Sequence, residues 1–388
     1  MIKKLLNITL CGTLALGFAS CSDDDNENVP VPDTKNETFQ TIAEQYLDNT
    51  VIVTYKNLAD NAEKLVTQLK AIQSNKTDAN VNAACVTFLE ARAWWEKSEA
   101  FLFGPANDFG IDPHIDSWPL DRDGLVSEMN HTAHIEAMAA EDGDEWAGSH
   151  LGQELLGFHG IEYIIFADGS AKSASAIPDN ELIYAIAVAG DLRNKCYQLQ
   201  LSWAGENGVA TNRLEKVANV LEWPYTVNSG SFSYKENMLN AGQAGSTYRS
   251  YTDAMQAIVD GCMSIADEVG LQKIGKPHTG EDINYIESPY SHMSITDFYD
   301  NIVSIENVYM GGIEGQRNEA KSLHAYMKSA NADLDSRCVS AISNAQAKIK
   351  AMKAPFVKYY TDPSASDAMQ ACNDLVEVLT EVKVALAK

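Results

Sequence analysis

From Phe39 onward, apolar residues recur at positions 39, 42, 43, 46, 47, 51, 55, 58, 62, 65, 66, 69 and 72. Steps of three and four keep one face of a helix apolar, and here the face runs for over thirty residues. A second stripe, from Val81 to Phe103, carries Cys85, Phe88, Leu89, Trp95 and Leu102. Helical spacing returns over 145–166, 180–203, 211–221, 234–268, 294–310, 318–330, 334–352 and 364–387. Alternating strand patterns between turn residues are scarce. The pattern predicts an all-α chain of long antiparallel helices packed as bundles. Three stretches, Gly104–Leu120, Glu222–Phe232 and Gly270–His292, are too long to be simple connectors. The first and third hold aromatic, proline and acidic residues, which suits ordered loops. A boundary near residue 230 would divide the body into an N-terminal bundle, 38–230, and a C-terminal bundle, 231–388. A short echo supports duplication: Glu99 precedes Gly104 by five residues at one helix end, and Glu306 precedes Gly311 likewise.

The N-terminus has a different pattern. Lys3 and Lys4 precede an apolar run from Leu5 to Ala19, which is too short to span a bilayer comfortably. Phe18-Ala-Ser-Cys21 resembles a lipoprotein processing box, so residues 1–20 read as a signal peptide and Cys21 as the lipidated N-terminus. Ser22-Asp-Asp-Asp25 resembles an acidic surface-export tag of Gram-negative lipoproteins. Residues 21–37 then read as a flexible acidic tether. The expected location is the outer membrane, facing the cell surface.

Composition narrows the partners. The 388 residues carry 29 Lys+Arg and 54 Asp+Glu, a formal net charge of −25. Cleavage after residue 20 would remove two lysines and take it to −27. Nucleic acid demands clustered basic residues, so it is excluded as a partner. Beyond Cys11 and Cys21, five cysteines remain, at 85, 196, 262, 338 and 372. They lack C-x-x-C spacing and read as buried small apolar residues.

The chemistry concentrates in few segments. In Gly157-Phe-His-Gly-Ile-Glu162, His159 and Glu162 stand three apart and project from one helix face. Such a pair can bind one metal, act as a base and its orienter, or simply satisfy each other in a core. Two ligands do not hold a metal, so further donors are needed. Glu96 and Glu99 on one helix, Asp112, His114, Asp116 and Asp121 in the first long loop, and Glu287 and Asp297 around the third offer them. Asp121 and Asp297 also suit helix capping. His131, His134 and His150 lie on a polar stretch and read as solvated. No H-E-x-x-H, G-x-S-x-G, P-loop or dinucleotide fingerprint occurs.

At these residues the chain resembles the imelysin-like family. Gly157–Glu162 is similar to its G-x-H-x-x-E signature. The stretch from Arg92 to Pro105 resembles a second block, and Asp112-Pro-His-Ile-Asp-Ser-Trp118-Pro-Leu-Asp121 a third. Glu287-Ser288, Ser291 and Asp297 are similar to a later block. The resemblance implies two related helical bundles with the His-x-x-Glu site near their interface. It also implies an envelope protein that binds iron, another divalent metal or an iron-containing ligand and serves an uptake system. The family's history as metallopeptidases makes Glu162 a candidate catalytic base. A third reading is a non-catalytic module for a peptide, glycan or partner, with Trp118 and Tyr290 lining its cleft.

Overall fold

The computed structural model describes residues 34–388. The signal peptide, Cys21 and most of the tether lie outside the described residues. Helix α1 (Thr34–Tyr46) begins inside the stretch read as tether, so residues 34–37 are helical. A π-helical turn, Leu47–Val51, joins it to α2 (Ile52–Ser74). Thr77 then caps α3 (Asp78–Glu96) by accepting a hydrogen bond from the Asn80 amide.

The first long loop is ordered. It holds two one-turn helices, α4 (Pro105–Asp108) and α5 (Asp112–Ile115), and a cis Trp118–Pro119 bond. Helices α6 (Arg122–Met129), α7 (Thr132–Met138) and α8 (Gly143–His150) follow. The helix expected over 145–166 is broken. Its second half is α9 (Gly157–Ile165), and Gly157 sits at φ +70°. A Cβ on Gly157 would lie 2.1 Å from the Ile115 carbonyl oxygen. The break lets the loop that carries Asp116 cross the start of α9.

A two-residue hairpin, β1 (Phe166–Ala167) and β2 (Ser170–Ala171), leads to the buried helix α10 (Asp179–Ala204). After α11 (Thr211–Leu214) and α12 (Tyr234–Leu239), the expected helix 234–268 is interrupted as well. The Asn237 side chain bonds Thr247 and holds a compact turn before α13 (Tyr251–Glu268). The third long loop opens with a π-helical turn, Val269–Lys273, followed by α14 (Gly275–Thr279). Then come α15 (Ser294–Met310), α16 (Leu323–Ala330), α17 (Ala332–Lys350), α18 (Phe356–Tyr359) and α19 (Ser364–Ala387).

Packing follows the apolar stripes. Helix α2 lies between α3 and α10, and α10 also carries α8 and α9. In the C-terminal half, α19 packs on α13 and α17, with α15 on α17. Contacts of α15 with α3, and of α13 with the turn Glu99–Phe101, join the halves, and residues 35–388 form one compact unit. The echoed glycines, Gly104 and Gly311, both adopt positive φ, +82° and +89°. All five described cysteines are buried and unpaired. No described helix is long and apolar enough to cross a membrane.

Candidate functional site

Where α3, α9 and α15 meet the two long loops, six carboxyl groups gather around three cationic groups in the interior. Arg92 is central and 2% exposed. It ion-pairs with Asp116, and its Nη2 lies 2.5 Å from Glu96 Oε1 one helical turn on. Glu287 and Asp297 stand at 3.9 Å. Trp95 Nε1 donates to Asp116 Oδ2 at 2.6 Å. Asn301 Nδ2 donates to Glu96 Oε2 at 2.5 Å. The π-helical turn before α14 delivers a second buried cation, Lys273. Its Nζ lies 3.3 Å from Glu287, 3.6 Å from Glu99 and 3.9 Å from Glu96.

His159 closes the cluster from the N-terminal side. Its Nε2 is 3.0 Å from Asp116 Oδ1, in poor alignment, and its Nδ1 is 3.8 Å from Glu162 Oε2. The Trp118 ring packs on the imidazole, with centroids 4.4 Å apart. Glu162 reaches across to the third loop. Its Oε1 accepts from the Ser291 amide and hydroxyl, both at 2.7 Å, and from the Tyr290 amide at 3.2 Å. Ser288 Oγ donates to Asp297 at 2.5 Å.

Electrostatics follow from this packing. Burial opposes every charge here, and neighbours decide which charges survive. For Asp116, Arg92 and His159 overcome burial and hold the carboxyl far below the usual range. For His159, the adjacent carboxylates of Asp116 and Glu162 overcome burial and raise the imidazole to about 9. Burial pushes Glu99, Glu287 and Asp297 up. Lys273 and Arg92 are held protonated by their acidic neighbours despite burial.

The expected residues therefore divide. His159, Glu162, Asp116, Glu96, Glu287, Ser288, Ser291, Asp297 and Trp118 converge, with Glu99 joined through Lys273. Asp297 serves the cluster and not a helix cap. Asp121 stays outside and caps α6 by accepting from the Gly124 amide at 3.0 Å. Asp112 lines a separate acidic cavity of about 390 Å³ with Glu99, and burial raises it to about 7. His114 leaves the cluster for Asp191, at 2.7 Å, and so ties the first loop to α10. The histidines read as solvated form a surface stack: His131 lies on His134 and His150 on Trp146, with His134 bonded to Glu128.

Arg92, Trp95, Lys273 and Asn301 were not anticipated. Arg92 left a signal, because it interrupts the apolar stripe of α3 one turn before Glu96. Lys273 left none, since its stretch reads as a loop.

A metal fits this donor set poorly. Among the described residues, no three His, Cys, Asp or Glu side chains are placed to hold a metal ion. Both His159 nitrogens face carboxylates of the cluster, Asp116 and Glu162. Cations already lie among the carboxylates. What remains unsatisfied is hydrogen-bonding capacity: Glu162 Oε2, Glu287 Oε2, Trp118 Nε1 and Arg92 Nε are buried and make no hydrogen bond, the ion-pair contacts aside.

Comparison with known proteins agrees with this architecture. Iron-regulated protein A of Synechococcus elongatus is 28% identical over 274 residues, 71% of this chain, and the chain spans 65% of that relative. The crystal structure of a putative iron-regulated protein A precursor from Parabacteroides distasonis superposes with a TM-score of 0.76 at 27% identity. It covers 90% of this chain and 95% of its own. An imelysin-like protein from Psychrobacter arcticum shares the fold, with a TM-score of 0.57 at 14% identity, covering 90% of this chain and 93% of its own. The imelysin family model matches residues 51–382. On that span, and on the all-α fold that these solved structures share, the chain belongs to the imelysin family.

Proposed function

We propose that this protein is a non-catalytic binding protein of iron acquisition, anchored in the outer membrane through a lipid on Cys21. It takes an iron-containing ligand, not a bare ion. One observation carries this reading: the His159–Glu162 motif is built into a hydrogen-bonding and ion-pairing network with its own cations, so its donors are engaged as a lattice and not as a chelate. The iron link rests on the names of the relatives, which call those proteins iron-regulated. The ligand docks at the rim above the cluster. Trp118, Tyr163 and Tyr290 are half-buried there, and Tyr163 packs edge-on against Tyr290 at 5.2 Å. The cluster beneath holds both loops in register, which lowers the ordering cost of binding.

The peptidase reading is disfavoured on the same geometry. A metal-bound water needs about three protein ligands and an open position. His159 lies between the carboxylates of Asp116 and Glu162, and Glu162 Oε1 accepts three hydrogen bonds.

Equilibrium dialysis with elemental analysis tests the proposal, using ferric citrate and haemin against ferrous and ferric salts. The chelated forms are expected to be retained by the wild type and lost in Trp118→Ala. Retention of the simple salts that disappears in His159→Ala or Glu162→Ala would establish a metal site instead. Retention of no iron in any form would end the iron reading. The anchor is checked by palmitate labelling, which Cys21→Ser should abolish.

A further inference from the structure

We propose a binding site for an aliphatic polyamine in the acidic cavity lined by α13, the turn Glu99–Phe101 and the start of α5. It goes beyond the iron reading and leaves out His159, Glu162 and the aromatic rim. The cavity has a volume of about 390 Å³, within the usual range of small-ligand pockets. Its α13 wall is one helix face, with Asp260, Ser264 and Glu268 spaced four apart along it. Glu99 and Asp112 join the lining from two other segments. Four carboxyl groups therefore line the cavity, and no lysine, arginine or histidine does.

The chain's own cations match these carboxyls incompletely. Lys383 reaches Asp260 from α19, at 2.5 and 2.7 Å. Asp112 and Glu268 are half-buried and make no ion pair among the described residues. Glu99 carries the observation that points to a ligand. It is 7% exposed, its carboxylate accepts no hydrogen bond among the described residues, and it keeps accessible surface where it lines the cavity. Its one cation, Lys273, stands 3.6 Å away and lies closer to Glu287, at 3.3 Å. A buried carboxylate without hydrogen bonds is costly, and a charged N–H donor on an occupant would relieve it. Burial and the neighbouring Asp116 raise Asp112 to about 7, as befits a carboxyl that lacks a close cation.

The lining sets the occupant's chemistry. Among the described residues no three carboxyls converge closely enough to hold a metal ion, so the positive charge is spread along a molecule. Asp260 and Glu268 are eight residues apart on α13, about 12 Å along its axis. Leu102, Phe103 and Ile265 supply apolar wall. A chain of methylenes with ammonium groups several bonds apart matches this combination. Each ammonium offers three donors to the carboxyls, and the methylenes pack on the apolar side chains. A neutral chain lacks the charge, and a single small ammonium reaches one carboxyl of several. Glu99, Asp112 and Glu268 each lack a close cation, so a triamine suits the cavity better than a diamine.

The test is isothermal titration of the purified protein with spermidine, putrescine and the neutral chain octanediol. Salt at about 0.15 M shortens the Debye length to about 8 Å and screens loose attraction to the acidic surface. Saturable one-to-one binding of spermidine, tighter than that of putrescine, is expected, with none of octanediol. Asp112→Asn and Glu268→Gln should each weaken spermidine by roughly tenfold. Asp333→Asn, at an exposed position of α17, should leave it unchanged. Melting temperatures check that the variants are folded, and both substitutions keep the size of the side chain they replace. The proposal is overturned if neither polyamine binds, or if folded Asp112→Asn and Glu268→Gln bind spermidine as well as the wild type. It is equally overturned if Asp333→Asn weakens binding as much as they do, or if equimolar magnesium displaces spermidine, which would make the cavity a metal site.

Discussion

Replacing Arg92 by Met removes the guanidinium and keeps most of its volume. The structure then leaves Asp116, Glu96, Glu287 and Asp297 around a neutral side chain, all nearly solvent-free. Breaking a buried ion pair by removing one partner costs about 3–5 kcal/mol, because the remaining charge is stranded. Here one cation serves a direct pair on each side, so a loss at the upper end of that range is expected. The cost has a pH signature. Without Arg92, carboxyls such as Asp116 take up protons in the folded state, and a carboxyl with a raised folded pKa destabilises as pH rises. The deficit should therefore shrink at about pH 5 and grow at about pH 8. In the wild type the depressed Asp116 keeps its contribution down to the ordinary carboxylate range and loses it only below that. Urea unfolding at both pH values, read by tryptophan fluorescence, measures this, since Trp95 bonds Asp116 directly. A loss below about 1 kcal/mol, or one equal at both pH values, would refute the idea that Arg92 neutralises the cluster.

His159 supplies a second pH effect. Its folded pKa is about 9, above the ordinary 6.5, so its stabilisation is complete below 6.5 and is lost as pH rises through 9. That difference corresponds to about 3 kcal/mol, and the wild-type melting temperature should fall between about pH 7 and 9.5 while His159→Gln stays flatter. Gly157→Ala should cost more than about 2 kcal/mol in chemical unfolding, because it forces a side chain onto φ +70° and onto the Ile115 carbonyl. Asp191→Asn should loosen the first loop by weakening its bond to His114, seen as faster hydrogen exchange over residues 112–118 with little change in α19. Ser291→Ala removes one of three hydrogen bonds to Glu162 and should cost about 1 kcal/mol, measured by the same urea titration.

Much of the architecture was legible in the chain. Helices such as α2, α10, α17 and α19 announced themselves through apolar stripes, because a helix that must bury one face needs that periodicity wherever it packs. The breaks were less visible. Residues 145–166 and 234–268 have continuous helical spacing, yet in the first α8 stops at His150 and α9 restarts at Gly157, whose positive φ makes room for the crossing Ile115 carbonyl. In the second an asparagine side chain organises a turn. Both causes come from residues far along or folded back, which periodicity does not encode.

The site divides in the same way. Its motif residues stood out because polar groups in an apolar run, His159 and Glu162 above all, are costly unless something satisfies them. What satisfies them could not be read from spacing. Asp116, Arg92 and the Ser291 amide come from three separate segments, and Lys273 arrives through a π-helical turn that no local pattern foretold. Order along the chain is enough for the helices, the acidic balance and the positions of the buried polar groups. That the carboxylates meet cations of the same chain is set by the fold, because charge neutralisation in a low-dielectric interior depends on distances across the molecule.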